Sequence, residues 1–205
     1  MKLLLASNGQ FLIEEGYKLV GIPVDKIRIG YITTASKRAS SNEYIKIHEK
    51  MMRNHNLYFE DIDIENKNEN DLRKFFADKN IIHMEGGNTY HLLKAIKQSG
   101  FDKILKDLID KGMVYVGTSA GSSIVGPTIE FSSHIPKEAT SEELKSLNMV
   151  PFLIKSHYTD DKEAEYSERI KTLKYPIRFL RDGQGILIEN GKYTFVGSGE
   201  EVKLK

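Results

Sequence analysis

Residues 113–126 read MVYVGTSAGSSIVG, an apolar run of strand type that breaks at Gly117 into small residues compatible with a helix. Ser119 stands at that corner, between Gly117 and Gly121. Three roles compete for it. A phosphate-gripping loop needs a lysine next to the serine to reach the outer phosphates, and no lysine lies between Lys111 and Lys137. A dinucleotide-binding turn needs G-x-G-x-x-G, which Gly117-Thr118-Ser119-Ala120-Gly121 does not match. Close packing of a helix on a sheet, with the serine as a cap, is the plain reading. The third is a nucleophile elbow, G-x-S-x-G, in which glycines two residues either side remove Cβ atoms that would collide. The serine then projects above the strand end, and the next amide, that of Ala120, is free to donate to an oxyanion. The strand before and the helix-compatible stretch after favour the elbow.

Working outward, short apolar runs alternate with amphipathic segments. KLLLAS (2–7), RIGYITTAS (28–36), LYFEDIDI (57–64), NIIHMEGG (80–87) and FLIKSHY (152–158) read as strands. Residues 41–55, 68–79, 88–100, 101–112 and 161–174 carry helical spacing, with Gly100 and Gly112 as natural stops. Residues 177–199 read as short strands with turns at Asp182-Gly183 and Asn190-Gly191, the second a strong hairpin signal. This alternation predicts one α/β domain over 1–205, a three-layer α/β/α sandwich on a mostly parallel sheet. Residues 127–150 form the longest irregular stretch, with one exposed helix expected in KEATSEELKS; an excursion of that length after a central strand is often functional.

Composition narrows the function classes. The chain has 205 residues, 40% of them apolar, and a net charge of +1 with both signs well mixed. No basic block suggests nucleic acid, and no apolar run approaches the roughly 20 residues that span a bilayer. The N-terminal Leu3-Leu4-Leu5 is too short for a signal-peptide core. There is no cysteine, which removes disulfides, thiolate metal sites and cysteine nucleophiles and fits a cytoplasmic protein. Neither a metal nor a cofactor is expected. The amphipathic helices are compatible with a monomer or a homodimer.

A serine nucleophile needs a base, and six histidines are available. His48 and His55 fall on one amphipathic helix at a spacing that does not make a zinc motif, and surface or half-buried roles suit them. His83 inside a strand reads as a core histidine, His91 as structural, and His134 lies in the excursion. His157 follows the apolar run FLIK and opens a polar segment, so it belongs at a strand's carboxyl end, where ligands gather in open α/β sheets. The acid that orients it is sought among Asp160, Asp161, Asp182 and Glu189; Asp182, where FLR gives way to glycines, suits a fixed carboxylate best. A second oxyanion donor is expected from the Gly86-Gly87 pair, with Gly87 favoured.

EGGNTYHLL, VGTSAGSSI, GPTIE, IKSHYT and RDGQGILI occur in this order along the chain. Together they resemble the peptidase E family, serine peptidases of family S51, whose best-known members are aspartyl dipeptidases. The resemblance implies a flavodoxin-like sandwich akin to class I glutamine amidotransferase domains. It also implies a triad falling on Ser119, His157 and Asp182, with oxyanion donors on Gly87 and Ala120. Asp182 stands in Arg-Asp-Gly where the family's acid is usually a glutamate. Substrate contacts are expected from Asn88, His134, Tyr158, Thr159, Tyr166 and Arg169. Two departures bear on specificity. His134 precedes Ile135-Pro136 where aspartyl dipeptidases carry an aspartate, and Tyr166 falls where they carry an arginine for the substrate's aspartyl carboxylate. A neutral tyrosine removes that charge-assisted partner. The expectation is therefore a serine hydrolase of short peptides without strict N-terminal Asp specificity. Its rivals are a hydrolase of another small amide or ester and a non-catalytic peptide-binding homologue.

Overall fold

The computed structural model describes residues 1–204. Along the chain run β1 (Lys2–Ala6), α1 (Gly9–Phe11), a π turn (Leu12–Gly16), α2 (Tyr17–Leu19), β2 (Arg28–Ile32), α3 (Glu43–Asn54) and β3 (Tyr58–Ile62). Then come α4 (Glu69–Phe76), β4 (Ile81–Met84), α5 (Thr89–Ser99), α6 (Phe101–Asp110), β5 (Val114–Thr118), α7 (Ala120–Ser123) and α8 (Ser141–Leu144). The C-terminal part holds β6 (Leu153–Lys155), α9 (Glu163–Ile170), β7 (Ile177–Phe179), β8 (Gln184–Glu189) and β9 (Lys192–Gly197).

Seven strands form one sheet in the order β3-β2-β4-β5-β1-β8-β9. The first five are mutually parallel, and β8 and β9 join antiparallel. All residues of β4 and β5 are buried, as central parallel strands covered on both faces must be. The period of two along β1 separates the two cores. Leu3 and Leu5 face a cluster with α5 and α6 (Leu92, Ile96, Phe101, Leu105). Leu4 and Ala6 face the opposite cluster, with Phe11, Leu12, Tyr17 and Met52 from the N-terminal helical stretch and α3. Each fully buried leucine or isoleucine contributes about 2 kcal/mol relative to exposure. The result is the expected three-layer sandwich.

Several local expectations are revised. Residues 152–158 and 177–179 do not extend the main sheet: β6 and β7 pair in parallel with each other as a separate two-stranded sheet. A satellite aromatic cluster of Phe131, Tyr158, Tyr166 and Phe179 packs there. The helix after the elbow is a single turn, and the expected helix at 161–174 opens as a 3-10 turn at Asp160–Lys162 and ends at Ile170. The helical stretch over 9–19 has no counterpart in the sequence reading, because its π turn breaks the 3.6-residue spacing. Asn190 and Gly191 make the two-residue hairpin, both with positive φ (52° and 76°). Among the described residues no helix is long and apolar enough to cross a membrane.

Candidate active site

The carboxyl ends of three adjacent strands, β4, β5 and β1, supply the frame. After β5 the chain turns at Ser119, whose φ of 49° and ψ of −104° lie outside the regions a non-glycine residue favours. Such strain costs on the order of 1–3 kcal/mol and persists only where the surroundings impose it. Here they do. A Cβ on Gly117 would sit 2.5 Å from the Gly121 carbonyl oxygen, and one on Gly121 would sit 2.0 Å from that of Met84. The Ser119 amide donates to Ala6 O on β1, and the Tyr115 hydroxyl donates to Gly121 O at 2.6 Å. The elbow is thus clamped on three sides, and its serine side chain is left half-buried.

The Ser119 hydroxyl lies 3.0 Å from His157 Nε2, and His157 Nδ1 lies 2.7 Å from Asp182 Oδ1. With the proton on Nδ1, the ring donates to the carboxylate and accepts from the serine. The His157 hydrogen bond holds the Asp182 carboxyl below its usual range; burial opposes it, and the His157 charge and Ser7 assist. Since β6 belongs to the satellite sheet, His157 reaches Ser119 by a different route from the one its strand pattern suggests. Its backbone is also left-handed, with φ 58°. Its amide donates to Ser7 Oγ at 2.9 Å.

Ser7, fully buried at the end of β1, is a site residue that the sequence reading passed over. Its Oγ lies 3.0 Å from Asp182 Oδ1 and 3.2 Å from Leu180 O, with one proton to share between them. One hydroxyl therefore joins the histidine backbone to the carboxylate. Asn8 adds to this by accepting from the Gly183 amide at 3.3 Å. The available signal was a polar residue ending the apolar run of a central strand.

The Gly86-Gly87 turn lies beside the serine: a Cβ on Gly86 would sit 3.1 Å from that of Ser119. Gly87 has φ 136° and presses on Ala35, whose carbonyl oxygen would meet an added Cβ at 2.3 Å. Only glycine fits there. Among the described residues, neither the Gly87 nor the Ala120 amide donates to a loop carbonyl or a side chain.

The expected substrate contacts divide. Thr159, His134 and Arg169 are exposed, and His134 has a left-handed backbone (φ 63°). Asn88 caps α5, accepting from the His91 amide. Tyr158 and Tyr166 do not line an open pocket: both are buried in the satellite aromatic cluster, where Tyr166 stacks on Phe179. Arg169 is spent on the face of Phe131, 4.0 Å from its centroid. Asp160 is turned outward and paired with Arg181, which leaves Asp182 as the carboxylate on His157.

A second polar group lies beneath the turn. Glu85 is buried, with Oε2 2.5 Å from the Tyr31 hydroxyl and 2.9 Å from His48 Nδ1. Its Oε1 accepts from the Gly86 amide at 2.6 Å and from the Thr118 hydroxyl. Burial alone would raise the Glu85 carboxyl, but the His48 hydrogen bond and the charges of His83 and His48 bring it down to about 2. His83 is a core histidine as expected, bonded to Tyr17 at 2.8 Å and pushed down to about 4, chiefly by burial. His48 takes the half-buried of the two roles that suit its helix, with its side chain turned against Glu85.

A serine forced into a strained strand-to-helix corner, in hydrogen-bond series with a histidine and a carboxylate, defines a site of serine-hydrolase type. The family model of peptidase family S51 matches residues 3–196. The chain belongs to that family and is a serine-type peptidase. It is 28% identical over 180 residues to the uncharacterized peptidase Lmo0363 of Listeria monocytogenes, covering 86% of this chain and 85% of the relative. With peptidase E of Shewanella amazonensis the identity is 26% over 140 residues, 63% of this chain and 59% of that protein. The crystal structure of a candidate peptidase E protein from Listeria monocytogenes EGD-e superposes with a TM-score of 0.83 at 24% identity, covering 97% and 98% of the two chains. That likeness speaks to the fold.

Proposed function

We propose that Ser119, His157 and Asp182 form the catalytic triad of a peptidase that cleaves short peptides, dipeptides among them, in the cytoplasm. The observation that carries this reading is the unbroken series Ser119 Oγ–His157 Nε2 (3.0 Å) and His157 Nδ1–Asp182 Oδ1 (2.7 Å), at a serine in elbow geometry. His157 takes the hydroxyl proton as Oγ attacks the scissile carbonyl carbon. The Gly87 and Ala120 amides receive the oxyanion. On collapse the C–N bond breaks, His157 gives its proton to the leaving amine, and an acyl-serine remains. Water then enters, His157 takes its proton, and the acid departs with Ser119 reprotonated. Asp182 keeps the imidazole in the required tautomer and stabilises its cation.

The state of Tyr166 and Arg169 argues against strict selection for an N-terminal aspartate. Tyr166 is neutral and buried against Phe179, and Arg169 lies on Phe131 with the Glu165 carboxylate already 3.9 Å away, so neither is set aside for a substrate carboxylate. Turnover of a dipeptide library by the wild type and by Ser119→Ala tests the whole reading. Loss of turnover in a folded variant is expected, with neutral N-terminal residues accepted by the wild type. Equal turnover by the two proteins sinks the nucleophile assignment, and confinement to Asp-X sinks the specificity argument.

A further inference from the structure

We propose that Tyr44 and Glu85 are positioning residues that aim the Gly87 amide into the site, so that α3, remote in sequence from the triad, sets the direction of an oxyanion donor. The inference rests on the reading of Gly87 as such a donor. Its first support is peptide geometry. The bond between Gly86 and Gly87 is trans, as every described peptide bond is. In a trans peptide the C=O and N–H point in opposite directions. The Tyr44 hydroxyl donates to Gly86 O at 2.8 Å. Fixing that carbonyl toward α3 turns the Gly87 N–H away from α3.

The second support is Glu85. Its Oε1 accepts from the Gly86 amide and from the Thr118 hydroxyl. One oxygen atom therefore joins the residue before Gly87 to the residue before Ser119. It fixes the spacing of the two segments that supply the oxyanion donors. The carboxylate is held in turn through Oε2 by Tyr31 and by His48, which stands one helical turn beyond Tyr44 on α3. With Gly86 N–H taken by Glu85 and Gly86 C=O taken by Tyr44, both sides of that residue are pinned, and the next amide has one orientation open to it. Burial beside Glu85 raises the Tyr44 hydroxyl well above its ordinary value, so it stays a donor at any working pH.

The test uses p-nitrophenyl acetate as acylating substrate, phenylboronic acid as tetrahedral adduct former, and the full chain. Tyr44→Phe removes one hydroxyl and no packing volume. Its kcat for p-nitrophenol release is expected to fall about tenfold with KM within twofold, and its affinity for phenylboronic acid to fall by the same factor, with Tm little changed. Glu85→Gln is expected to lose more, in the same kcat-only pattern where it folds. A role confined to stability would move Tm and the active fraction but leave boronate affinity per folded molecule intact. A folded Tyr44→Phe with kcat and boronate affinity within twofold of wild type overturns the inference, whatever Glu85→Gln does. Ser119→Ala run in parallel separates the two readings: if it still releases p-nitrophenol at the wild-type rate, the fault lies with the nucleophile assignment and not with α3.

Discussion

The molecule holds two histidine–carboxylate pairs of nearly equal length in opposite surroundings. His157 and Asp182 meet at 2.7 Å with side chains 51% and 59% exposed, whereas His48 and Glu85 meet at 2.9 Å with 13% and 2% exposed. The contact is the same and the consequence differs. At the open pair, solvent reaches the imidazole, and its second nitrogen faces the Ser119 hydroxyl. Protons can come and go there. At the closed pair the carboxylate is fully subscribed by Tyr31, His48, Gly86 and Thr118. Its charge is useful only as a fixed tether, and breaking it strands a buried ion. One pair is open to proton exchange beside the Ser119 hydroxyl; the other is locked into the hydrogen bonds of the turn next to it.

The sharpest way to break this contrast is at the open pair. His157→Ala is expected to lower kcat by a factor on the order of 10⁵ to 10⁶ while leaving Tm nearly unchanged. Steady-state kinetics and a melting curve on the same preparation check both halves. Asp182→Asn keeps the shape but favours the wrong imidazole tautomer, for a loss of about 10³ to 10⁴ in kcat, again with little change in Tm. If either variant unfolds instead, the open pair is structural and the comparison fails.

The closed pair should move stability as well as rate, and lose far less rate than the open pair. Glu85→Gln is expected to cost about 3 kcal/mol or more of folding stability, read by chemical denaturation. Acid should act the same way in the wild type. His83 is held neutral, so its ordinary value of 6.5 drops to about 4, and the stability it contributes is full above 6.5 and lost as pH falls toward 4. Glu85 is held charged, from 4.5 down to about 2, so its contribution is full above 4.5 and lost on further acidification. Denaturation midpoints should therefore fall continuously from about pH 6.5 downward. A profile flat to pH 4 would contradict the buried neutral His83. Ser7→Ala, which removes the hydroxyl joining the His157 amide to Asp182, is the mildest change. A loss of roughly 1 kcal/mol in stability and several-fold in kcat is expected, measured by the same two assays.

The two pairs also differ in how readable they were. Ser119, His157 and Asp182 were legible because each ends an apolar run, and because Gly117 and Gly121 give the elbow a steric logic local to five residues. Their partners were not. Ser7 acts through strand order, which puts the end of β1 between the elbow and the acid. Glu85 looks like any residue at a strand end, and His48 like any polar position on α3, until the fold stacks one on the other. The parallel sheet was legible from alternation alone. The satellite pairing of β6 with β7 was not, since nothing in three-residue strands says which sheet they join. Tyr166 illustrates the remaining gap: the family resemblance suggests a substrate contact there, and only the packing against Phe179 and Phe131 shows that the ring is buried.

The excursion after the elbow helix leaves and rejoins the body at nearly one point. The Leu147 amide returns to Ile124 O, that of Asn148 to Gly126 O, and that of Met149 to Val125 O. Between these closures the chain forms one capped turn at α8 and sends Phe131 into the satellite cluster beside Tyr158. In engineering terms the stretch is a cassette with two internal rivets. Its ends are stapled together, but Ile129 sits in the core shared with α5 and α6 and Phe131 in the satellite cluster, so a replacement loop has to keep both anchors.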